Sequence, residues 1–328
     1  MRGRTRFVAP RHICLYDDEY SKETILFFQY LHVFSRRYKF VEIDFSYTEK
    51  ITALASLVML SHLHYIQLYK GNKKSIILNC QKSPIYHSFF EKTLFIKAFE
   101  QGCYVSAGKT SVIFPFKTYS VLSIAECRSM LSDYVKSFKD ELKNVLLELY
   151  SESDINQFFS DLLLTMTEVL QNITHHAYPA DENPFILKED SLLKKTDLFK
   201  LKLFWCTLWY DDVHHSIVFA LYDLGVGLVN SYLHYSSRPD DELNRLAKLT
   251  KVQVFDEILR AGTSRFFGSG RGNGLDAIFN TSMKLSDISL MLLSEKIRCE
   301  RTIVGNQYIQ FPYSLPGTAI EWNFKLRK

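Results

Sequence analysis

Apolar residues in the first third of the chain switch between two periods. Residues 40–45 alternate apolar and polar side chains, with Val41 and Ile43 against Glu42 and Asp44, as a half-buried strand does. Residues 50–68 then adopt helical spacing, with Ile51, Leu54, Leu57, Val58 and Leu60 on one face. Gly71 and Asn72 signal a turn, and 75–79 reads as a short buried strand. A second helix is predicted over 83–99, carried by Ile85, Phe89, Leu94 and Phe95. Strand, helix, strand, helix in that order predicts an α/β layer.

Beyond residue 118 the pattern changes character. Two long amphipathic stretches, 123–150 and 155–177, predict helices, and Pro179 should stop the second. Residues 181–200 are polar, contain Pro184 and read as an insertion or loop. Strands follow at 202–210 and 216–223, with Asp211 and Asp212 supplying a hairpin turn. A polar segment, 230–251, carries Pro239, and 252–260 is helical. The glycine-rich run 266–274 opens a helix over 275–284, and strand-like runs at 302–311 and 319–324 close the chain. With 328 residues the chain suits two domains, predicted as 1–118 and 119–328. There are no internal repeats.

Composition narrows the classes. Hydrophobic residues make up 47% of the chain and charged ones 23%, which fits a folded chain with a sizeable core rather than a disordered one. A net charge of +4, with bases and acids interspersed, argues against direct nucleic-acid binding. Cys14, Cys80, Cys103, Cys127, Cys206 and Cys299 are scattered and form no C-x-x-C pair, which disfavours a zinc site or a disulfide framework. Free thiols suit a reducing compartment, so a cytoplasmic location is expected. No apolar run reaches the roughly 18 residues that would span a bilayer. Arg2, Arg4 and Arg6 make the N-terminus basic, but no apolar stretch follows, so no secretion signal is expected.

Four segments carry candidate chemistry. Glu168, Asn172 and His176 are spaced four apart and share one helix face. An amide oxygen there can ligate a hard cation such as Mg²⁺, and a carboxylate can orient or deprotonate a nucleophile. Asp223, Gly225 and Gly227 follow an apolar strand, where a carboxylate can accept from an exocyclic amine and glycines let a flat base approach the backbone. Gly268, Gly270, Gly272 and Gly274 precede a helix, where backbone N–H groups can cradle phosphates. No Gly-Lys-Ser/Thr follows, so this is not a Walker A loop, and the glycine spacing does not fit a dinucleotide fold. Gly317 and Thr318 lead a terminal strand. Taken singly, each segment also fits a plainer role: a polar helix face, an Asp/Gly turn, a flexible linker or an edge strand.

In this order the four segments resemble the N, G1, G2 and closing Gly-Thr boxes of the GHKL (Bergerat-fold) ATP-binding superfamily, over roughly residues 120–328. Glu168, Asn172, His176, Ala177 and Tyr178 together look most like the anti-sigma-factor serine-kinase branch. The resemblance implies a Bergerat fold, with a mixed sheet packed on helices as a two-layer sandwich, and ATP with Mg²⁺ as cofactors. It implies that Asn172 ligates Mg²⁺ and Glu168 acts as general base or positions water. Asp223 would bind the adenine amine, with Gly225 and Gly227 shaping the pocket. Gly270, Gly272 and Gly274 would lie against the phosphates, and Thr318 would support Asp223. His176 belongs to the same site, residues 230–267 would form a mobile lid, and Arg265 and Arg271 are candidate phosphate contacts or ordinary loop charges. His175 is expected to be a bystander. No lysine-donating domain of the gyrase type follows the Gly-Thr strand, so weak stand-alone hydrolysis is expected.

Residues 38–100 resemble a STAS-like domain, the fold of anti-sigma-factor antagonists, through 41–46, helix 51–68, 75–79 and the next helix, although the usual Asp-Ser-Gly turn is missing. An unrelated α/β cap fits the same pattern. Three functions remain open at this point: an ATP-driven regulatory switch or ATPase acting on a protein partner or a second copy of itself, a serine/threonine kinase of the anti-sigma type, and a non-catalytic scaffold. No membrane partner is expected.

Overall fold

The computed structural model describes residues 2–102, 116–120, 124–173, 177–178, 203–211, 214–233, 240–259, 286–302 and 304–326; for 116–120, 124–127, 168, 172, 286 and 287 it describes the backbone alone. Strand β1 (Arg2–Val8) and the short β2 (His12–Ile13) lead into α1 (Asp18–Arg37). Asp17 caps α1 by accepting the Glu19 amide, Asp18 and Glu19 occupy the first turn, and Arg36 and Arg37 the last, all in keeping with the helix dipole. Then follow β3 (Tyr38–Asp44), β4 (Lys50–Ile51), α2 (Ala53–Lys70), β5 (Ile76–Asn79) and α3 (Phe95–Gln101). β1, β3 and β5 form a parallel three-stranded sheet in that order, and β2 pairs in parallel with β4.

The second half contributes β6 (Phe116–Ser120), α4 (Ile124–Leu147), α5 (Glu152–Asn172), β7 (Leu203–Asp211) and β8 (Ser216–Asp223). Three short helices follow, α6 (Leu228–Leu233), α7 (Asp240–Leu246) and α8 (Lys251–Leu259), then the long strands β9 (Ser286–Thr302) and β10 (Gly305–Leu326). The five strands order as β6-β7-β8-β10-β9, and every neighbouring pair is antiparallel. β6 is an edge strand of this sheet and contains Thr118, where the composition changes. Ser151 caps α5 by accepting the Asp154 amide, and its hydroxyl donates to the Asp154 carboxylate.

Strict alternation along these strands separates two apolar faces. Phe204, Cys206, Phe219, Leu221, Leu290, Leu292, Trp322 and Phe324 pack with α4 and α5 in one core. Their alternates Leu203, Trp205, Ala220, Tyr222, Met291, Leu293 and Ala319 pack with α1 and α2 in another. The N-terminal helices thus lie between two sheets, and the layers run sheet, helices, sheet, helices. This explains α2, which is buried at every position from Leu54 to Gln67 rather than along one stripe. It ends at Gly71, left-handed at φ 58°, whose N–H returns to the Gln67 and Leu68 carbonyls. Fully buried Trp322 stacks on Phe219 at 5.2 Å, and truncating it to alanine would cost about 3–5 kcal/mol.

The mixed α/β class is as predicted, but several details differ. The C-terminal sheet is antiparallel throughout its described pairings, not mixed; among the described residues, parallel pairs occur in the N-terminal sheets. The sheet is covered on both faces, so it is more than a two-layer sandwich. Residues 83–99 are not one helix: a π-helical turn (Tyr86–Glu91) and left-handed Leu94 (φ 56°) interrupt it, and α3 starts only at Phe95. The helix expected from residue 50 begins at Ala53, because Lys50 and Ile51 pair with β2. The two terminal strand-like runs are one bulged strand, β10. β1, α1 and β9 were not predicted from the pattern.

Candidate functional site

β8 is apolar and fully buried until it ends at Asp223, 3% exposed, opposite Thr318 of β10. The Asp223 Oδ1 accepts the Gly225 amide at 2.7 Å, and the Thr318 amide also points to this carboxylate. Burial pushes the carboxyl up to about 7 from an ordinary 3.8, against the opposite pull of those two amides. An acid held this way can act as a strong acceptor for an amine-bearing ligand that enters the same dry site.

The chain after Asp223 is held against residues 177–178, which follow α5 in the sequence. The Leu224 amide donates to the Tyr178 hydroxyl at 3.1 Å, and that hydroxyl donates to the Leu203 carbonyl at 2.5 Å. The Val226 amide donates to the Ala177 carbonyl at 3.0 Å. Gly225 is required by this closeness: a Cβ there would lie 2.4 Å from the Ala177 oxygen and 2.7 Å from the Asp223 Oδ1.

β10 bends at the same place. Ser294 pairs with Thr318 and Glu295 with Leu315, so Pro316 and Gly317 bulge out of the ladder. Gly317, at φ 74°, comes so near the end of β8 that a Cβ would sit 1.9 Å from the Asp223 carbonyl oxygen. The buried Ser294 hydroxyl accepts the Leu228 amide at 2.8 Å, donates to the Gly317 carbonyl at 3.0 Å and lies 3.3 Å from the Thr318 hydroxyl. Glu295, left-handed at φ 57°, accepts the Asn230 amide at 3.1 Å, and burial raises its carboxyl above the ordinary range. Its Cγ leaves no room for a side chain at Gly227, 2.9 Å from a Cβ built there.

The structure therefore brings together Asp223, Gly225, Gly227 and Thr318, along with Ala177 and Tyr178 beyond α5. Glu168 and Asn172 lie in the last two turns of α5, and their side chains are outside the described residues. His175, His176, Arg265, Gly268, Gly270, Arg271, Gly272 and Gly274 also lie outside the described residues. Among the described residues, no group of three His, Cys, Asp or Glu side chains is placed to hold a metal. No described helix is long and apolar enough to cross a membrane. Within the expected lid, 230–267, the described segments include α7 and α8, tied by Arg245, which bridges Glu242 and Glu257.

Sequence reasoning missed Ser294 and Glu295. Their one signal is a polar pair directly after the apolar run from Leu290 to Leu293. Compared with known proteins, the chain matches no family model, no curated protein and no solved structure.

Proposed function

We propose that this chain binds ATP with Mg²⁺ in a Bergerat-type site and uses it as a regulatory switch. The observation that carries the reading is the meeting of three segments distant in sequence, 177–178, 223–227 and 317–318, around one buried carboxyl. Asp223 accepts the adenine 6-amino group, and the Thr318 amide holds the same carboxylate. The glycines at 225 and 317 let residues 177 and 316–318 pack directly against the end of β8, which fixes the Asp223 carboxyl in place for a base. Residues 177–178 follow α5 in the sequence, which supports assigning Glu168 and Asn172 at the end of α5 to the same site. Asn172 would hold the Mg²⁺, which neutralises phosphate charge, and Glu168 would position or deprotonate the attacking group. Gly270, Gly272 and Gly274, with Arg265 and Arg271, would meet the phosphates, and 230–267 would close over them. In this reading the N-terminal half is the STAS-like partner layer of the switch.

Calorimetry with ATP·Mg²⁺ tests this. The wild type should bind with one site per chain, and Asp223→Asn should weaken binding about tenfold at pH 8, the difference between a charged and a neutral acceptor. Equal binding by both, or none by the wild type, contradicts the proposal. Labelled γ-phosphate then separates the uses: release to water marks an ATPase, and transfer to a protein hydroxyl marks a kinase.

A further inference from the structure

A second polar system is buried on the opposite face of the same strand end. Tyr222, the neighbour of Asp223, points into the α1–α2 layer and is fully buried. Its hydroxyl donates to the Pro316 carbonyl at 2.6 Å, within the Pro316–Gly317 bulge and two residues before Thr318. The same hydroxyl lies 3.2 Å from the His62 Nε2 on α2, and the His62 Nδ1 lies 2.5 Å from the His32 Nε2 on α1.

The direction of every bond in this chain follows from its end. A carbonyl only accepts, so Tyr222 must donate to Pro316, and its oxygen must then accept from His62. His62 is therefore protonated at Nε2 and bare at Nδ1, which accepts from the protonated Nε2 of His32. A second proton on His62 would set its Nδ1–H against the His32 Nε2–H unless His32 also changed tautomer. Burial and this arrangement agree in keeping His62 neutral, with its pKa lowered to about 3. Phe28 stacks on the His62 ring at 5.1 Å, with 7° between planes, and fixes its orientation.

We infer that His32, His62 and Tyr222 form a one-way hydrogen-bond chain through which the N-terminal helices position the Pro316–Gly317 bulge, and with it Thr318, for ligand binding at Asp223. The inference rests on the ATP-site reading above and adds a positioning role for residues outside that site. It makes the N-terminal half a component of the binding site rather than an appended module. Tyr222 is the effector of the chain, His62 sets its donor direction, and His32 anchors it to α1.

The test uses the full chain. ¹⁵N spectra of histidine-labelled protein at pH 7 should show His62 protonated at Nε2 and not at Nδ1; the reverse tautomer overturns the chain. In calorimetry with ATP·Mg²⁺, Tyr222→Phe and His62→Leu should each bind about tenfold more weakly than wild type. His62→Gln, whose amide can still donate to Tyr222, should stay within about threefold of wild type. A merely structural histidine would not give that split. Wild-type affinity in Tyr222→Phe, or equal losses in the Gln and Leu variants, overturns the positioning role and leaves the ATP site standing. If the wild type binds no ATP, the site reading itself falls. The tether is then decided by amide exchange at Gly317 and Thr318, which should accelerate in Tyr222→Phe; unchanged protection rejects it.

Discussion

Replacing Asp223 by asparagine should shift the stability balance toward the variant as pH rises. The native carboxyl has a folded-state pKa of about 7 against 3.8 for an ordinary aspartate, and burial is the cause. Its folded value is raised, so between those two values the folded chain holds a proton that the unfolded chain has lost. Stability therefore declines as pH climbs from about 4 to about 7 and stays level above. At 1.36 kcal/mol per pKa step the full penalty on the ionised form is about 4 kcal/mol. Between pH 5 and pH 8 the part lost is about 3 kcal/mol. Asparagine carries no such charge. Whatever its amide costs or contributes beside the Thr318 N–H is the same at both pH values and cancels. Urea unfolding of wild type and Asp223→Asn at pH 5 and pH 8 measures this directly, and the stability difference should grow by about 3 kcal/mol in favour of the variant. A difference independent of pH would refute the buried, ionisable Asp223 on which the site depends.

Other consequences can be checked the same way. Gly317→Ala forces a Cβ against the Asp223 carbonyl at positive φ, so a loss on the order of 3 kcal/mol is expected in urea unfolding. Gly225→Ala pushes residues 177–178 away from the turn; it should abolish ATP binding while costing only about 1–3 kcal/mol of stability, measured by calorimetry and urea unfolding together. Ser294→Ala strands the Leu228 amide and should cost about 1–3 kcal/mol and weaken ATP binding, whereas Ser294→Thr keeps the hydroxyl. Glu321, buried beneath the N-terminal helices with its carboxyl pushed up to about 7, accepts from the Tyr16 hydroxyl, and Glu321→Gln should remove a second, additive part of the pH dependence.

Most elements whose apolar pattern has a single period were legible in the sequence. α4, α5, β7 and β8 bury one face or a whole strand, and their alternation fixes both type and approximate limits. α1 was not legible because buried Ser21, Thr24, His32 and Ser35 interrupt its apolar face; Ser21 and Ser35 donate to carbonyls three residues earlier in α1, while Thr24 and His32 find partners only in other segments. β9 was hidden for a related reason. It buries both faces and carries Glu295 and Arg298 inside, the latter donating to the Leu15 carbonyl and pairing with Asp18. Both features arise because the N-terminal helices cover the second face of the sheet, which no local pattern announces. At the candidate site, Asp223, Gly225, Gly227 and Gly317 stand out in the sequence as a charged residue and glycines at the ends of apolar strands, and the structure brings them together; Gly268, Gly270, Gly272 and Gly274 lie outside the described residues. Ser294, Glu295, His62 and Tyr222 act through contacts between segments far apart in sequence, so spacing gave no hint of them.

A base would sit at one place in the molecule, beside Asp223. Amide chemical shifts of the full chain, followed through titration with ATP·Mg²⁺ and separately with adenosine, examine that place directly. Both ligands should move the amides of Leu224, Gly225, Gly227 and Thr318 saturably, and ATP·Mg²⁺ should also move those in the last turns of α5. Saturable binding that leaves the 224–227 and 317–318 amides unmoved would contradict that placement.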